Sequence, residues 1–231
     1  MNFRTTAALA ALALATVLSA SASATNYEVT VENLIPGGLD TVQPFSPPVC
    51  VVHNAGYSQW APGAMASPGL EIVAREGDPT TLAAEAMGDA NVYSVVVGSG
   101  PFFGSQSIMI EGNPGDLFSV AWMLGRTNDL FAGLYDIVLP ASGSMSMDTD
   151  VWDSGTEVNT GMIEDLGFYG NPNTGPDEDN PISMISSYSV VNDPTYGVLT
   201  WNFPPSARVT ITVMDPTPTD ETSLSAVKSL Y

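Results

Sequence analysis

From residue 27 the chain alternates between apolar and polar positions. Tyr27, Val29 and Val31 are separated by Glu28, Thr30 and Glu32, the period-two pattern of a strand with one buried face. Val49 to His53, Val92 to Val97, Gln106 to Glu111, Leu117 to Leu124, Leu134 to Leu139, Ile182 to Val191, Val198 to Trp201 and Ala207 to Val213 read as further strands. Turn residues separate them, as in Pro36-Gly37-Gly38, Ser46-Pro47-Pro48, Gly98-Ser99-Gly100-Pro101 and Gly112-Asn113-Pro114-Gly115. Short strands joined at short intervals by such turns predict an all-β fold. The architecture expected is an antiparallel β-sandwich with long loops and one or two short helices.

Two stretches depart from this rhythm. Tyr57 to Glu76 predicts a long loop ending in a short helix, and Thr80 to Ala86 a second helix led in by Asp78-Pro79. Glu76, Asp78 and Glu85 read as its solvated face. Gly161 to Asn180, which ends in GNPNTGPDEDNP, predicts a long surface loop whose Asp177, Glu178 and Asp179 are solvated. Three neighbouring side chains cannot all converge on one cation, so at most a weak ion is expected there.

Length allows one β-rich domain with a sizeable core. Residues 1 to 24 carry Arg4, an Ala- and Leu-rich run from Ala7 to Leu18, and Ala22-Ser23-Ala24, the pattern of a cleaved signal peptide. The expected organisation is a leader at 1–24, a domain at 25–214 and a flexible tail at 215–231. Secretion or delivery to a periplasm follows, with no transmembrane segment in the mature chain. Cys50 is the single cysteine, so no internal disulfide can form, and its apolar surroundings mark it as a core residue. His53 is the single histidine and reads as a structural hydrogen-bonding residue rather than a zinc ligand.

Charge narrows the function. The formal net charge is −20; loss of Arg4 leaves four basic residues against 25 acidic ones, or −21. No basic patch exists to meet phosphates, which excludes nucleic acid, and docking on anionic lipid would need calcium as a bridge. No Gly-x-Ser-x-Gly elbow, P-loop or Rossmann fingerprint occurs.

The remaining chemistry lies between Arg126 and Glu157. Asp129 sits on a Thr-Asn-Asp turn, and Asp148, Asp150, Asp153 and Glu157 follow in a turn-rich segment spaced by small residues. Carboxylates and carbonyls on loops are the ligands that calcium takes, although acidic loops in an acidic protein can equally be solvated turns. The EF-hand spacing is absent. Glu111, at a strand end beside a Gly-rich turn, is placed to reach the Asp129 loop. Asp129 with Asp153 could instead serve as the paired carboxylates of a secreted glycosidase-like hydrolase.

TNDLF, the strand through VLP, and WDSGTE resemble two blocks of the spondin amino-terminal (F-spondin) domain. NYEVTVENL, QPFSPPVCVVHN and ASPGLEIVAREGD are similar to the opening of its single-domain bacterial members. The resemblance spans roughly residues 27 to 214. It implies a secreted, calcium-binding β-sandwich with a role in binding, adhesion or extracellular matrix, and an extracellular ligand that is a protein, a glycan or a calcium-bridged surface. It also implies three metal ligands: a strand-borne glutamate matched by Glu111, the turn aspartate matched by Asp129, and the aspartate opening D-x-G-T-[DE], matched by Asp153. Glu157 is then a capping or supporting acid. The chain departs from eukaryotic members in lacking their cysteine pairs and in reading Thr-Asn-Asp where they carry a proline.

Overall fold

In the computed structural model, which describes residues 24–38, 40–171, 174–203 and 205–214, two antiparallel sheets face each other across one core. The expected leader, apart from Ala24, and the expected tail lie outside the described residues.

The smaller sheet has the order β4-β1-β12-β7, from β1 (Thr25–Asn33), β4 (Ser105–Gly112), β7 (Ser144–Thr149) and β12 (Ala207–Met214). Its inner face carries Tyr27, Val29, Val31, Ile108, Ile110, Val209 and Ile211, all buried. The outer face is polar, with hydroxyl pairs such as Thr30 with Ser107 (2.8 Å) and Ser146 with Thr210 (2.8 Å) joining neighbouring strands. This is the alternation read from the sequence, now with one wet face.

The larger sheet has the order β3-β2-β5-β6-β8-β9. It comprises β2 (Val49–His53), β3 (Val92–Val97), β5 (Leu117–Met123), β6 (Leu130–Val138), β8 (Val151–Asp153) and β9 (Ser183–Ile185). It is covered on both faces, which explains continuous apolar runs such as Val-Cys-Val-Val. Cys50 and Val52 face the sandwich core, while Val49 and Val51 face a second cluster with Leu70, Val73, Leu82 and Ala86 from two helices. A hairpin of β10 (Ser187–Asp193) and β11 (Gly197–Asn202) closes one end.

Both helices fall where the pattern placed them. In α1 (Pro68–Glu76) the Ser67 side chain accepts from Leu70 N–H, Pro68 opens the first turn, and Gly77 ends the helix at φ 69°. α2 (Thr80–Met87) crosses it so closely that a Cβ on Gly69 would lie 2.6 Å from Leu82 Cα. Glu85 is not part of a solvated face: its carboxylate accepts from Gly69 N–H (2.7 Å) and Ser67 Oγ (2.7 Å), tying the two helices together.

Two readings of irregular structure change. The stretch 144–149, read as turn-rich, is β7; Asp148 lies on it and forms an exposed pair with Arg208 (2.7 Å), while Asp150 sits at the break before β8. The segment read as a free surface loop returns along 155–158 through Val158 N–H to Pro176 O (2.8 Å), Glu178 N–H to Thr156 O (3.1 Å) and Asn180 N–H to Gly155 O (2.9 Å). Backbone donors inside a packed edge need partners, and the 174–180 chain supplies them. Among the described residues no helix is long and apolar enough to cross a membrane.

Candidate metal centre

The block Asp153-Ser154-Gly155-Thr156-Glu157 makes a tight turn as it leaves β8. Asp153 Oδ1 accepts Gly155 N–H (2.8 Å), and Gly155 takes φ 72°, where a Cβ would also strike Asn180 O. The register pairs Leu130 with Asp153, and Ser154 N–H donates to Asp129 O (3.2 Å). Strand pairing therefore brings together two acids far apart in sequence.

Asp129 is fully buried, and its two oxygens are treated very differently. Oδ2 accepts from Ser154 Oγ (2.8 Å), Thr156 N–H (2.8 Å), Thr156 Oγ1 (3.2 Å) and Glu157 N–H (2.9 Å). Oδ1 is buried and accepts nothing. The half-buried Asp153 carboxyl is close enough to hydrogen-bond with that of Asp129. Burial and the Asp129 charge, with a contribution from Glu178, push the Asp153 pKa up to about 7 against the lowering effect of Gly155 N–H. Asn159 donates from Nδ2 to Asp153 Oδ2 (2.7 Å), and its own Oδ1 is buried without a partner.

Glu157 belongs to a neighbouring network. It is fully buried, receives Asn128 Nδ2 on Oε1 (3.2 Å), and pairs through Oε2 with Arg75 Nε (3.3 Å). Arg75 also reaches Glu71 (3.1 Å) and Asp177 (2.9 Å). Asn128 Oδ1 in turn accepts from Tyr188 Oη (2.6 Å). Asp177, read as solvated, is thus an ion-pair partner on an exposed rim, and Glu178 faces the acid pair electrostatically.

Glu111 is not brought to this place. It is exposed on β4, opposite Asn26, at the end of the sandwich where Leu139 packs over Gly112. Asp129 precedes the other end of β6, so the strand length separates them by on the order of 25 Å. The sequence could not show this, because which end of the sandwich a strand terminus occupies depends on topology. Asn159, Arg75 and Asn128 are the residues that sequence reading missed; a lone amide or arginine carries no local signal of what it will face. Among the described residues no three Asp, Glu, His or Cys side chains form a ready-made metal-holding group. The acids that do meet are two, with the Asn159 amide beside them.

A second polar cluster lies in the larger sheet. β6 bulges opposite Ser119, with Asp136 at φ 54°, and Asp136 N–H donates to Ser119 Oγ (3.0 Å). His53 Nδ1 donates to the carbonyl of Asn54 (2.9 Å), and Nε2 lies 2.9 Å from Ser119 Oγ and 3.7 Å from Asp136 Oδ1. Ser119 and His53 are both fully buried. The cluster satisfies the bulge, the structural role expected of His53. Burial likewise pushes the Cys50 thiol up to about 12, leaving it an inert core group.

No protein-family model matches this chain, and no curated protein matches it significantly.

Proposed function

We propose that this chain is an exported calcium-binding β-sandwich module that acts by binding or adhesion, with Asp129 and Asp153 as the carboxylate ligands. The observation that carries the reading is the buried, unpartnered Oδ1 of Asp129 beside a second carboxyl group. No arginine or lysine among the described residues forms an ion pair with either acid. Two adjoining carboxylates out of water are unfavourable unless a proton or a cation lies with them. Near neutral pH a hard divalent cation answers that need with oxygen coordination.

Asn159 fits the same role. Its amide donates to Asp153 without an ion, and half a turn about its last torsion exchanges nitrogen for oxygen, offering a third oxygen ligand. Calcium takes six to eight oxygens, so coordination positions would stay open for backbone, water or an acidic group on a partner. Glu111 plays no part in this version of the site. The leader-like amino terminus and the blocks resembling spondin domains support an extracellular setting.

Equilibrium dialysis tests the reading. One calcium per chain is expected for the wild type and none for Asp129→Asn; a wild type that binds no calcium at millimolar concentration ends the proposal. No specific observation favours the hydrolase alternative: neither Asp129 nor Asp153 lines the hollows beside Phe168, Trp60 or Tyr196.

A further inference from the structure

Three arginines lie among the described residues, and two of them are used in ion pairs: Arg75 with Glu71, Glu157 and Asp177, and Arg208 with Asp148. Arg126 has none. It is only 6 % exposed, so its guanidinium is held in place rather than solvated. Nε donates to Val42 O (3.1 Å), Nη1 donates to Tyr169 Oη (3.3 Å), and the Phe168 ring lies 4.2 Å from the guanidinium carbon. These contacts use two of five N–H groups and fix the plane of the fork.

Arg126 borders a hollow of about 360 Å³, lined also by Asp40, Tyr169, Asp193, Pro194, Thr195 and Tyr196. Asp193 does not neutralise the arginine by direct pairing. Its Oδ1 accepts Thr195 N–H (2.9 Å) and Tyr196 N–H (2.9 Å), and its Oδ2 accepts Tyr169 Oη (2.9 Å). Asp40 is exposed, and its carboxylate accepts no hydrogen bond from the described residues. Tyr196, 47 % exposed, and Pro194 give the hollow an apolar wall.

A rigid guanidinium with free donors is built to receive a carboxylate on its fork. The flanking acids and the net charge of −20 repel a simple anion, and a dianion such as phosphate most of all. A molecule that joins a carboxylate to a nearby ammonium group escapes that repulsion, because it is neutral overall and offers Asp40 and Asp193 a cation. We propose that this hollow binds a free α-amino acid as its zwitterion, with the carboxylate on Arg126, the ammonium towards Asp40 and Asp193, and an apolar side chain against Tyr196 and Pro194. The site shares no residue with the acid pair and does not depend on calcium.

Calorimetric titration of the full chain at low salt tests this, with phenylalanine as the probe because the free wall is apolar. Phenylalanine is expected to bind once per chain, and phenylalaninamide and N-acetylphenylalanine about tenfold or more weaker, each having lost one charged contact. Asp40→Asn should weaken phenylalanine several-fold and, by removing a repelling charge, bind the anion N-acetylphenylalanine no more weakly than the wild type does, whereas Arg126→Lys should weaken both. Because Arg126 also holds the loop around Val42, the exposed Asp40 variant carries the test if Arg126→Lys does not fold. Absence of phenylalanine binding at millimolar concentration, equal binding of N-acetylphenylalanine, or tighter binding of galacturonate would each overturn the proposal.

Discussion

Glu157 and Asp129 are both fully buried, and they touch: Glu157 N–H donates to Asp129 Oδ2 at 2.9 Å. Their charges are answered in opposite ways. Glu157 has the arginine at 3.3 Å, reached across from α1. Asp129 has four donors crowded on one oxygen, none on the other, and a second acid beside it. Hydrogen bonds from neutral donors spread a negative charge but do not cancel it, so one acid is finished by the chain itself and the other waits for something from outside. In a protein with five basic residues and 25 acidic ones, an arginine at one buried acid is one withheld from the next.

Removing the arginine should have the largest effect. Arg75→Met takes from the buried Glu157 the cation it pairs with, and breaking a buried pair typically costs about 3–5 kcal/mol, so urea unfolding should show the midpoint falling accordingly. The exposed pair provides the control: Arg208→Met should cost no more than about 1 kcal/mol. If the two variants fall equally, the contrast between finished and unfinished acids is wrong at its first step.

Calcium should act on the other acid. At a hundredfold excess over the dissociation constant it should stabilise the wild type by roughly 2.7 kcal/mol, read as a rise in calorimetric Tm against chelator. Asp153→Asn should lose that rise and, in chelator, melt above the wild type, because the repulsion with Asp129 has gone. An equal calcium shift in both proteins would assign the stabilisation to some other place.

Acidity gives a smaller test of the same repulsion. The folded chain raises Asp153 from its ordinary 3.8 to about 7, so between those values it holds a proton that the unfolded chain has released. More protons bound in the folded state means that this group's contribution to stability falls as pH rises through that window. In chelator the wild type should therefore melt higher at pH 5 than at pH 7.5 by more than Asp153→Asn does. The smallest effect is expected at Glu111→Gln, an exposed position remote from the pair: stability within about 0.5 kcal/mol and an unchanged calcium shift. A lost calcium response there would return Glu111 to the site and break the comparison.

Much of the fold was legible because strand periodicity is local. Val49–His53 and Val92–Val97 were read with the boundaries that the structure has, and α2 announced itself through Asp78-Pro79, whereas the Ser67 cap and the Pro68 first turn of α1 showed only in the structure. The stretch 144–149 was misread because Ser, Met and Asp carry weak strand preference; its register against β12, with Met147 opposite Val209, makes it a strand. Of the candidate residues, Asp129 and Asp153 lie side by side, and the Asp-Ser-Gly-Thr-Glu turn places its donors around Asp129. Glu111 does not join them, and Asn159 does.

The amino-acid sequence by itself determined the all-β class, the helical excursion and the shortage of positive charge, because alternation, turn chemistry and composition act within a few residues or over the whole chain. Only the tertiary structure decided which acids became partners. That Arg75 lies on Glu157 and not on Asp129, that Glu111 stands at the far end of β6, and that Arg126 forms no ion pair among the described residues all follow from the tertiary arrangement of the strands and loops. Electrostatic pairing acts over a few ångströms in space, a separation that no spacing along the chain encodes.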